Sequence, residues 1–364
     1  MQNPCLRCDL DAIRHNIDAL ITLCHSRSIK IAAVTKVICA HPDIVRVIDE
    51  SEVDQIADSR ILNLASMHTQ KPRLLTRIAM PSEAEDVVRH SELSLQSEVV
   101  TIRALASAAK HAHRRHGVIL MIDLGDLREG VFYTDTEGIE RAAREIASAS
   151  HLDFAGIGTN LTCYGAILPS TQNLQMLVNI AEQLRALLDL PIPLISGGNS
   201  SSLGLVAAGG CPREVNHLRI GEAMFLGTDT ATGNLLQGLR DDAFTLAAEL
   251  VELKRKPSVP IGESYANAFG ERVTFADEGE QLRGIAAVGR QDIAVEGLVP
   301  VDPRVRILGA SSDHLLLDLG VAKEYAVGSM LAFRLRYGAL LQAATSAYVE
   351  KEMQLKPICS IVVE

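Results

Sequence analysis

Several short stretches of this sequence put reactive side chains where a packed scaffold has little use for them. In IKIAAVTKV, residues 29–37, Lys36 ends an apolar, β-branched run. Ile29, Ile31, Val34 and Val37 favour strand, and a strand apolar on both faces reads as one buried in a parallel sheet. An ammonium there either snorkels over the strand rim or is an amine placed in a pocket on purpose. SGGNSSS, at 196–202, taken alone is a flexible surface turn. After the apolar IPLIS and shortly before RIGE it reads instead as glycine backbone and serine hydroxyls able to cradle a phosphate. Arg128 follows VILMIDLGDL, Asn160 follows FAGIGT, and Arg219 lies in HLRIGEA. A phosphate cradle opposite a strand-end lysine suggests a phosphorylated aldehyde held as a Schiff base. Pyridoxal phosphate is the common carrier of that chemistry.

Such groups need rigid elements to hold them. Candidate strands are KIAAVTK, RILNLA, RLLTRI, LSLQS, VILMIDL, FAGIGTNL, IPLIS and HLRIGEAM, with helix-like segments between them. In STQNLQMLVNIAEQLRALLDL the apolar Leu174, Met176, Leu177, Ile180, Ala181 and Leu184 recur at helical spacing. Strands alternating with helices predict βαβ units around a parallel sheet. Their number suits an α/β barrel of the triosephosphate-isomerase (β/α)8 type, which takes about 250 residues; a doubly wound open sheet is the alternative, though no GxGxxG follows the first strand. In a barrel, catalytic groups sit at the C-terminal strand ends, where Lys36, Arg128, Asn160, the Gly/Ser cluster and Arg219 all fall. After GTDTATGNLLQGLRDD the runs shorten and become rich in Val, Ile and Leu, as in a mostly-β domain. The expected division is 1–235 for the barrel and 236–364 for the β domain.

Bulk properties narrow the function classes. The 364 residues are 47% hydrophobic and 22% charged, an ordinary globular composition. A net charge of −10 argues against a nucleic-acid footprint or a polybasic membrane surface. No apolar run approaches the roughly 18 residues of a transmembrane candidate. The opening MQNPCLRCDLDAIRHNID carries acidic residues where a signal peptide needs an apolar core, so a cytoplasmic location is expected. Cys5 and Cys8 have the spacing of a metal or redox pair but no second pair follows, and reduced thiols are expected. His111, His113 and His116 in KHAHRRH read as a solvated face rather than a metal site. No metal is expected.

The motifs together resemble a known family. DLDAIRHNIDAL at 9–20, VTKV around Lys36, DLGDLREG at 123–130, GGNSSS and RIGEAMFLG are similar, in the same order, to the alanine racemase family of fold-type III pyridoxal-phosphate enzymes. VTKVICAHP, IADSRILNLA, GIGTNLTCYGA, KPSVPIGE and ILGASSDHLLLD look more like its ornithine racemase branch. The resemblance runs nearly the length of the chain. It implies a pyridoxal-phosphate-dependent racemase of a basic amino acid such as ornithine or lysine, a homodimer with shared active sites. Retro-aldol cleavage or decarboxylation of a D-amino acid, or non-catalytic cofactor binding, are the alternatives.

By the same resemblance, Lys36 would bond the cofactor and act as base on one face of the α-carbon, its pKa lowered by desolvation. Arg219 would face the pyridine nitrogen. Ser196, Gly198, Asn199, Ser200, Ser201, Gly221 and Glu222 would hold the phosphate, Glu222 only through its backbone because carboxylate and phosphate repel. Arg128 matches the arginine that supports the ring and the substrate carboxylate; otherwise it is a surface ion pair. The family places a carbamylated lysine seven residues before that arginine, where this chain has Met121, so something else must orient Arg128. Asn160 stands in place of a family histidine. Tyr265 in GESYANAFG resembles the family's second base, donated by the partner subunit, or is an exposed turn residue. Asp313 in GASSDH would hold the substrate's distal ammonium, or merely caps a turn.

Overall fold

The computed structural model describes residues 4–322 and 324–354. These fall into two units, Asp11–Asp241 and a second that joins the residues before Asp11 to those from Asp242 onward.

The chain opens with β1 (Cys5–Asp9) and α1 (Leu10–His25), then β2 (Lys30–Val34), α2 (Pro42–Asp49), β3 (Gln55–Asp58), α3 (Ile61–Ser66) and β4 (Arg73–Leu75). Next come α4 (Ala84–His90), β5 (Leu93–Gln96), α5 (Val99–His111), β6 (His116–Asp123), the short β7 (Val131–Phe132) and α6 (Thr136–Ser148). The first unit ends with β8 (Leu152–Gly158), α7 (Thr171–Leu188), β9 (Leu194–Ser196), α8 (Leu203–Ala207), β10 (His217–Ile220) and α9 (Glu222–Leu226).

Strands β2, β3, β4, β5, β6, β8, β9 and β10 pair in parallel, and β10 returns to β2. The result is a closed eight-stranded α/β barrel, as the alternation of elements predicts. Its interior is filled by Ala32, Val34, Ala57, Leu74, Leu95, Ile119, Met121 and Leu194. Strand β2 stops at Val34 and the backbone turns at Thr35 (φ −94°, ψ 0°), which leaves Lys36 at the C-terminal end of the strand, at the barrel mouth. Helix α7 forms as its periodicity requires: Leu174, Leu177, Ala181 and Leu184 are buried. Its start is fixed by a capping box in which Ser170 Oγ accepts from Asn173 N at 3.2 Å and Asn173 Oδ1 accepts from Ser170 N at 2.9 Å.

Two sequence expectations need correction. RILNLA is not a strand. It forms α3, with Ile61 and Leu64 buried and Leu62 80% exposed, a one-sided helical pattern. The strand is the preceding QIAD, too short and polar to stand out. His116 is not on a solvated face with His111 and His113. It opens β6, fully buried, with Nε2 2.8 Å from Ser94 Oγ.

The second unit continues with β11 (Phe244–Pro257), β12 (Glu280–Ala286), β13 (Leu298–Pro300), β14 (Arg306–Ala310), β15 (Leu315–Asp318), β16 (Met330–Leu335), α10 (Tyr337–Thr345) and β17 (Glu350–Gln354). Its sheet runs β13-β16-β11-β12-β15-β14. Strand β1, which lies within the expected 1–235 barrel segment, pairs instead with β11 and β17 of this sheet. Its apolar residues explain why: Leu6 packs in register with Leu246, itself opposite Phe333, and all three are buried. Cys5 and Cys8, three apart on this strand, point to opposite faces and do not form one site.

Candidate active site

Lys36 begins a short 3-10 turn (Lys36–Ile38) directly after β2. The turn is tied to β3 by Thr35, whose N–H donates to Ala57 O at 2.8 Å and whose hydroxyl donates to Asp58 Oδ2 at 2.7 Å. Asp58 is fully buried and also accepts from Arg60 N at 2.9 Å and Asn63 Nδ2 at 3.0 Å. Burial raises its pKa while these hydrogen bonds oppose the rise. Lys36 is open to the barrel mouth, yet the surrounding strand ends desolvate its ammonium and lower its pKa. The Cys163 thiol opposes that lowering, Arg128 adds to it, and Asp58 and Glu129 oppose it. An amine with a lowered pKa is a better nucleophile and base near neutral pH.

Arg219, 3% exposed on β10, anchors a polar chain through the barrel. Its Nη2 donates to Thr159 O at 2.6 Å and to Asn160 Oδ1 at 2.8 Å, and its Nη1 to Ser196 Oγ. An arginine only donates, so Ser196 Oγ accepts there and gives its own proton to His217 Nδ1, 2.7 Å away. The imidazole proton then lies on Nε2, facing Gln55 Oε1 at 3.2 Å. His217 is buried, and desolvation, with Arg219 and Lys30 nearby, pushes its pKa down to about 3. It is a neutral spacer. Desolvation also lowers Arg219 to about 10, which still leaves it charged at neutral pH.

Asn160 faces both ways. Its Oδ1 serves Arg219, while its Nδ2 donates to Glu129 Oε1. The other carboxylate oxygen of Glu129 forms an ion pair with Arg128, 2.6 Å from its Nε. Arg128 is therefore paired with its chain neighbour, and its outer guanidinium edge points to the more open side, the side chain being 37% exposed.

The loops that carry these residues are stiffened from below. Asp123 Oδ1 accepts from Gly125 N at 2.8 Å and Leu127 N at 3.2 Å, closing the turn before Arg128. Gly130, at φ +129°, could not carry a Cβ, which would fall 2.5 Å from Asp123 N. Asp126, fully buried, accepts from Cys163 N, Tyr164 N and Ile167 N at 3.1, 3.0 and 3.2 Å, fastening the loop after β8.

The Gly/Ser cluster forms a turn and a short 3-10 helix after β9. Gly198 sits at φ +110°, where a side chain would be strained. Asn199 Oδ1 accepts from Ser201 N at 2.9 Å, and its Nδ2 donates to Leu161 O at 3.1 Å. Ser200 Oγ accepts from Gly221 N at 3.4 Å and Ala223 N at 3.2 Å, so this turn and the start of α9 are one structure. Gly221 lies against Val34, its virtual Cβ 3.1 Å from Val34 O. Ser201 Oγ is buried and has no hydrogen-bond partner among the described residues. An orphaned hydroxyl at a glycine turn is what a bound phosphate would satisfy. Burial raises the Glu222 pKa, and its carboxyl turns to Thr228 and Thr230.

The barrel mouth thus gathers Lys36, Arg128, Asn160, Ser196, Gly198, Asn199, Ser200, Ser201, Arg219, Gly221 and Glu222. Tyr265 and Asp313 lie in the second unit. Tyr265 is 79% exposed, its hydroxyl accepting from Arg272 Nη2 at 3.0 Å; Asp313 is exposed in the turn between β14 and β15. Sequence reasoning did not single out Glu129, Asp58, Asp126 or His217. A carboxylate next to the motif arginine was the available signal for Glu129. Among the described residues, no group of His, Cys, Asp and Glu is arranged to hold a metal ion.

Comparison with known proteins agrees with this architecture. Residues 8–229 match the family described as alanine racemase, N-terminal domain. Ornithine racemase of Acetoanaerobium sticklandii is 44% identical over 352 residues, covering 96% of this chain and 99% of that one. Lysine racemase of Thermotoga maritima is 36% identical over 354 residues, covering 96% of this chain and 98% of its own. The structure of alanine racemase from Clostridium difficile 630 superposes with a TM-score of 0.74 at 17% identity, over 96% of this chain and 95% of that one, a likeness of fold. With a closed barrel, a lysine at its mouth and a match spanning most of both units, the chain belongs to the alanine racemase family.

Proposed function

We propose that this protein is an isomerase that racemises a basic amino acid, ornithine foremost, with pyridoxal 5'-phosphate held at the barrel mouth. The observation that carries the reading is a single strand-end ring holding an amine of lowered pKa, Lys36, with an orphaned phosphate-turn hydroxyl, Ser201. The near-full-length similarity to an ornithine racemase and a lysine racemase supports racemisation over cleavage or mere binding, and supports a basic side chain on the substrate.

When bound, pyridoxal phosphate supplies an aldehyde for the amino group and a conjugated ring that draws electron density from the α-carbon. The protein supplies the rest. Lys36 Nζ holds the cofactor and moves a proton at one face of the α-carbon. Ser201, with the backbone of Gly198, Gly221 and Glu222 and the turn held by Ser196, Asn199 and Ser200, binds the phosphate. Arg219 would face the ring nitrogen as a donor that keeps its proton, so the ring would stay uncharged, which favours simple proton exchange over elimination. Arg128 binds the substrate carboxylate, and Asn160 lies between the two arginines. The other face is served by Tyr265 of the partner subunit in a cytoplasmic homodimer, with Asp313 receiving the distal ammonium.

The test is proton NMR in deuterium oxide with both enantiomers of ornithine, lysine and alanine, the protein being supplied with pyridoxal phosphate. Loss of the α-hydrogen signal with loss of optical purity for ornithine or lysine, and its absence in Lys36→Ala, is the expected result. Release of an aldehyde or carbon dioxide, or no exchange with any substrate, would overturn it.

A further inference from the structure

The barrel mouth concentrates positive charge at Lys36, Arg128 and Arg219, and one carboxylate touches the groups between them. Glu129 forms an ion pair with Arg128, one oxygen 2.6 Å from its Nε, and accepts a hydrogen bond from Asn160 Nδ2 with the other. Asn160 passes the alignment on, its Oδ1 accepting from Arg219 Nη2 at 2.8 Å. The Glu129 side chain is only 14% exposed, while that of Arg128 is 37% exposed. The carboxylate is therefore enclosed and the guanidinium it grips is presented outward.

We infer that Glu129 is a positioning residue that fixes Arg128 for an incoming carboxylate and locks Asn160 to Arg219, so that the two arginines are set by one anion. This deepens the racemase reading and rests on it. The chemistry of the four groups gives the alignment a direction. Arg128 pairs its charge with Glu129, Glu129 accepts from Asn160 Nδ2, and Asn160 Oδ1 accepts from Arg219, which only donates. Asn160 therefore has one admissible orientation. Holding Nε leaves the two Nη groups of Arg128 as a fork matched to a second carboxylate, the geometry in which arginine binds such groups. With Met121 buried in the barrel core, no titratable group at that position competes for Arg128.

The polarity of the chain supplies a test. In Glu129→Gln the ion pair with Arg128 is lost, and an amide that keeps its oxygen on Asn160 Nδ2–H turns its NH2 toward the Arg128 guanidinium. In Asn160→Asp two carboxylates meet. In the double variant Glu129→Gln/Asn160→Asp the partners are exchanged. The new amide's oxygen accepts from Arg128, its NH2 donates to the new carboxylate, and that carboxylate still accepts from Arg219. Each single variant is expected to raise the KM for ornithine about 10- to 100-fold, the range for losing a hydrogen bond to a charged group. In Glu129→Gln the Kd for pyridoxal phosphate, read by absorbance titration, should change less than about threefold, because the phosphate turn is untouched. The double variant should recover most of the KM loss.

A readout that needs no turnover accompanies these. Solvent exchange at Arg128 Nε–H, followed by nitrogen-15 NMR and assigned with Arg128→Lys, should accelerate at least about tenfold in Glu129→Gln. Unchanged Arg128 exchange, or an unchanged KM in an active enzyme, overturns the inference, as does failure of both the single and double variants to fold. A wild type that binds no pyridoxal phosphate or racemises nothing overturns the functional reading instead, and the exchange measurement still decides the role of Glu129.

Discussion

Asp126 offers the cleanest perturbation of the site's support. Its carboxylate is fully buried and serves three backbone N–H groups of the loop after β8: Oδ2 takes Cys163 and Tyr164, and Oδ1 takes Ile167. In Asp126→Asn the side chain keeps its shape but only one oxygen. The better orientation leaves that oxygen on the Cys163–Tyr164 pair and turns the NH2 toward Ile167 N, now 3.2 Å from a second donor. One charge-assisted bond is lost, the remaining two weaken, and a donor–donor contact is created, a cost of about 3 kcal/mol. That corresponds to an opening equilibrium shifted about 100-fold at the Ile167 amide. The loop can open without the barrel, so global stability should fall by less. Amide hydrogen exchange at Cys163, Tyr164 and Ile167 measures this directly, with amides of β6 as the reference. Because Asn199 Nδ2 reaches Leu161 O from the phosphate turn, the variant should also bind pyridoxal phosphate more weakly. Exchange at Ile167 within about threefold of wild type would refute the claim that the carboxylate tethers the loop.

Acid stability carries a second expectation. His116 and His217 are buried with pKa values pushed down to about 4 and about 3, desolvation being the main cause. Both are neutral when folded and take a proton on unfolding below about pH 6.5, so their contribution is complete above that value and is lost as pH falls toward 4 and 3. Together they steepen the acid branch by at most about 2.7 kcal/mol per pH unit; urea titrations between pH 7 and 5 should show a shallower slope in His217→Gln, and an unchanged slope would count against it. A third concerns Gly130→Ala, which puts a Cβ 2.5 Å from Asp123 N at φ +129°. It should lose roughly 3 kcal/mol in denaturant titration, and a variant as stable as wild type would contradict the geometry.

What the sequence disclosed follows from how far each interaction reaches along the chain. The Lys36 strand, the glycine-serine turn and the helical stripe of α7 are local patterns, readable from period and composition. QIAD was missed because four residues give no period, and RILNLA was taken for a strand because its apolar run is too short to tell a period of 2 from one of 3.6. His116 looked solvated because its arginine neighbours hide that it starts a strand. The Arg219–Ser196–His217–Gln55 chain joins residues from three strands. Only the closed barrel brings Gln55 to His217. The partner of Arg128 was adjacent in sequence all along, but an arginine–glutamate neighbour pair is too common to carry meaning until the carboxylate is seen to reach Asn160 as well.

Strand β1 has a consequence for how the protein is made. Cys5 pairs with Ala247 on one side and with Glu350 on the other, so β1 finds both neighbours only after every barrel strand has been synthesised. Every barrel strand is synthesised in between and can close on its own neighbours first. Through that interval β1 exposes two unpaired edges and a run with Leu6 on it, a template for wrong pairing. Its sheet is complete only when β17 is available, a pairing of long sequence separation that slows folding. An extension or tag placed before Cys5 would therefore load the strand that joins this sheet across the longest stretch of sequence and not a barrel strand.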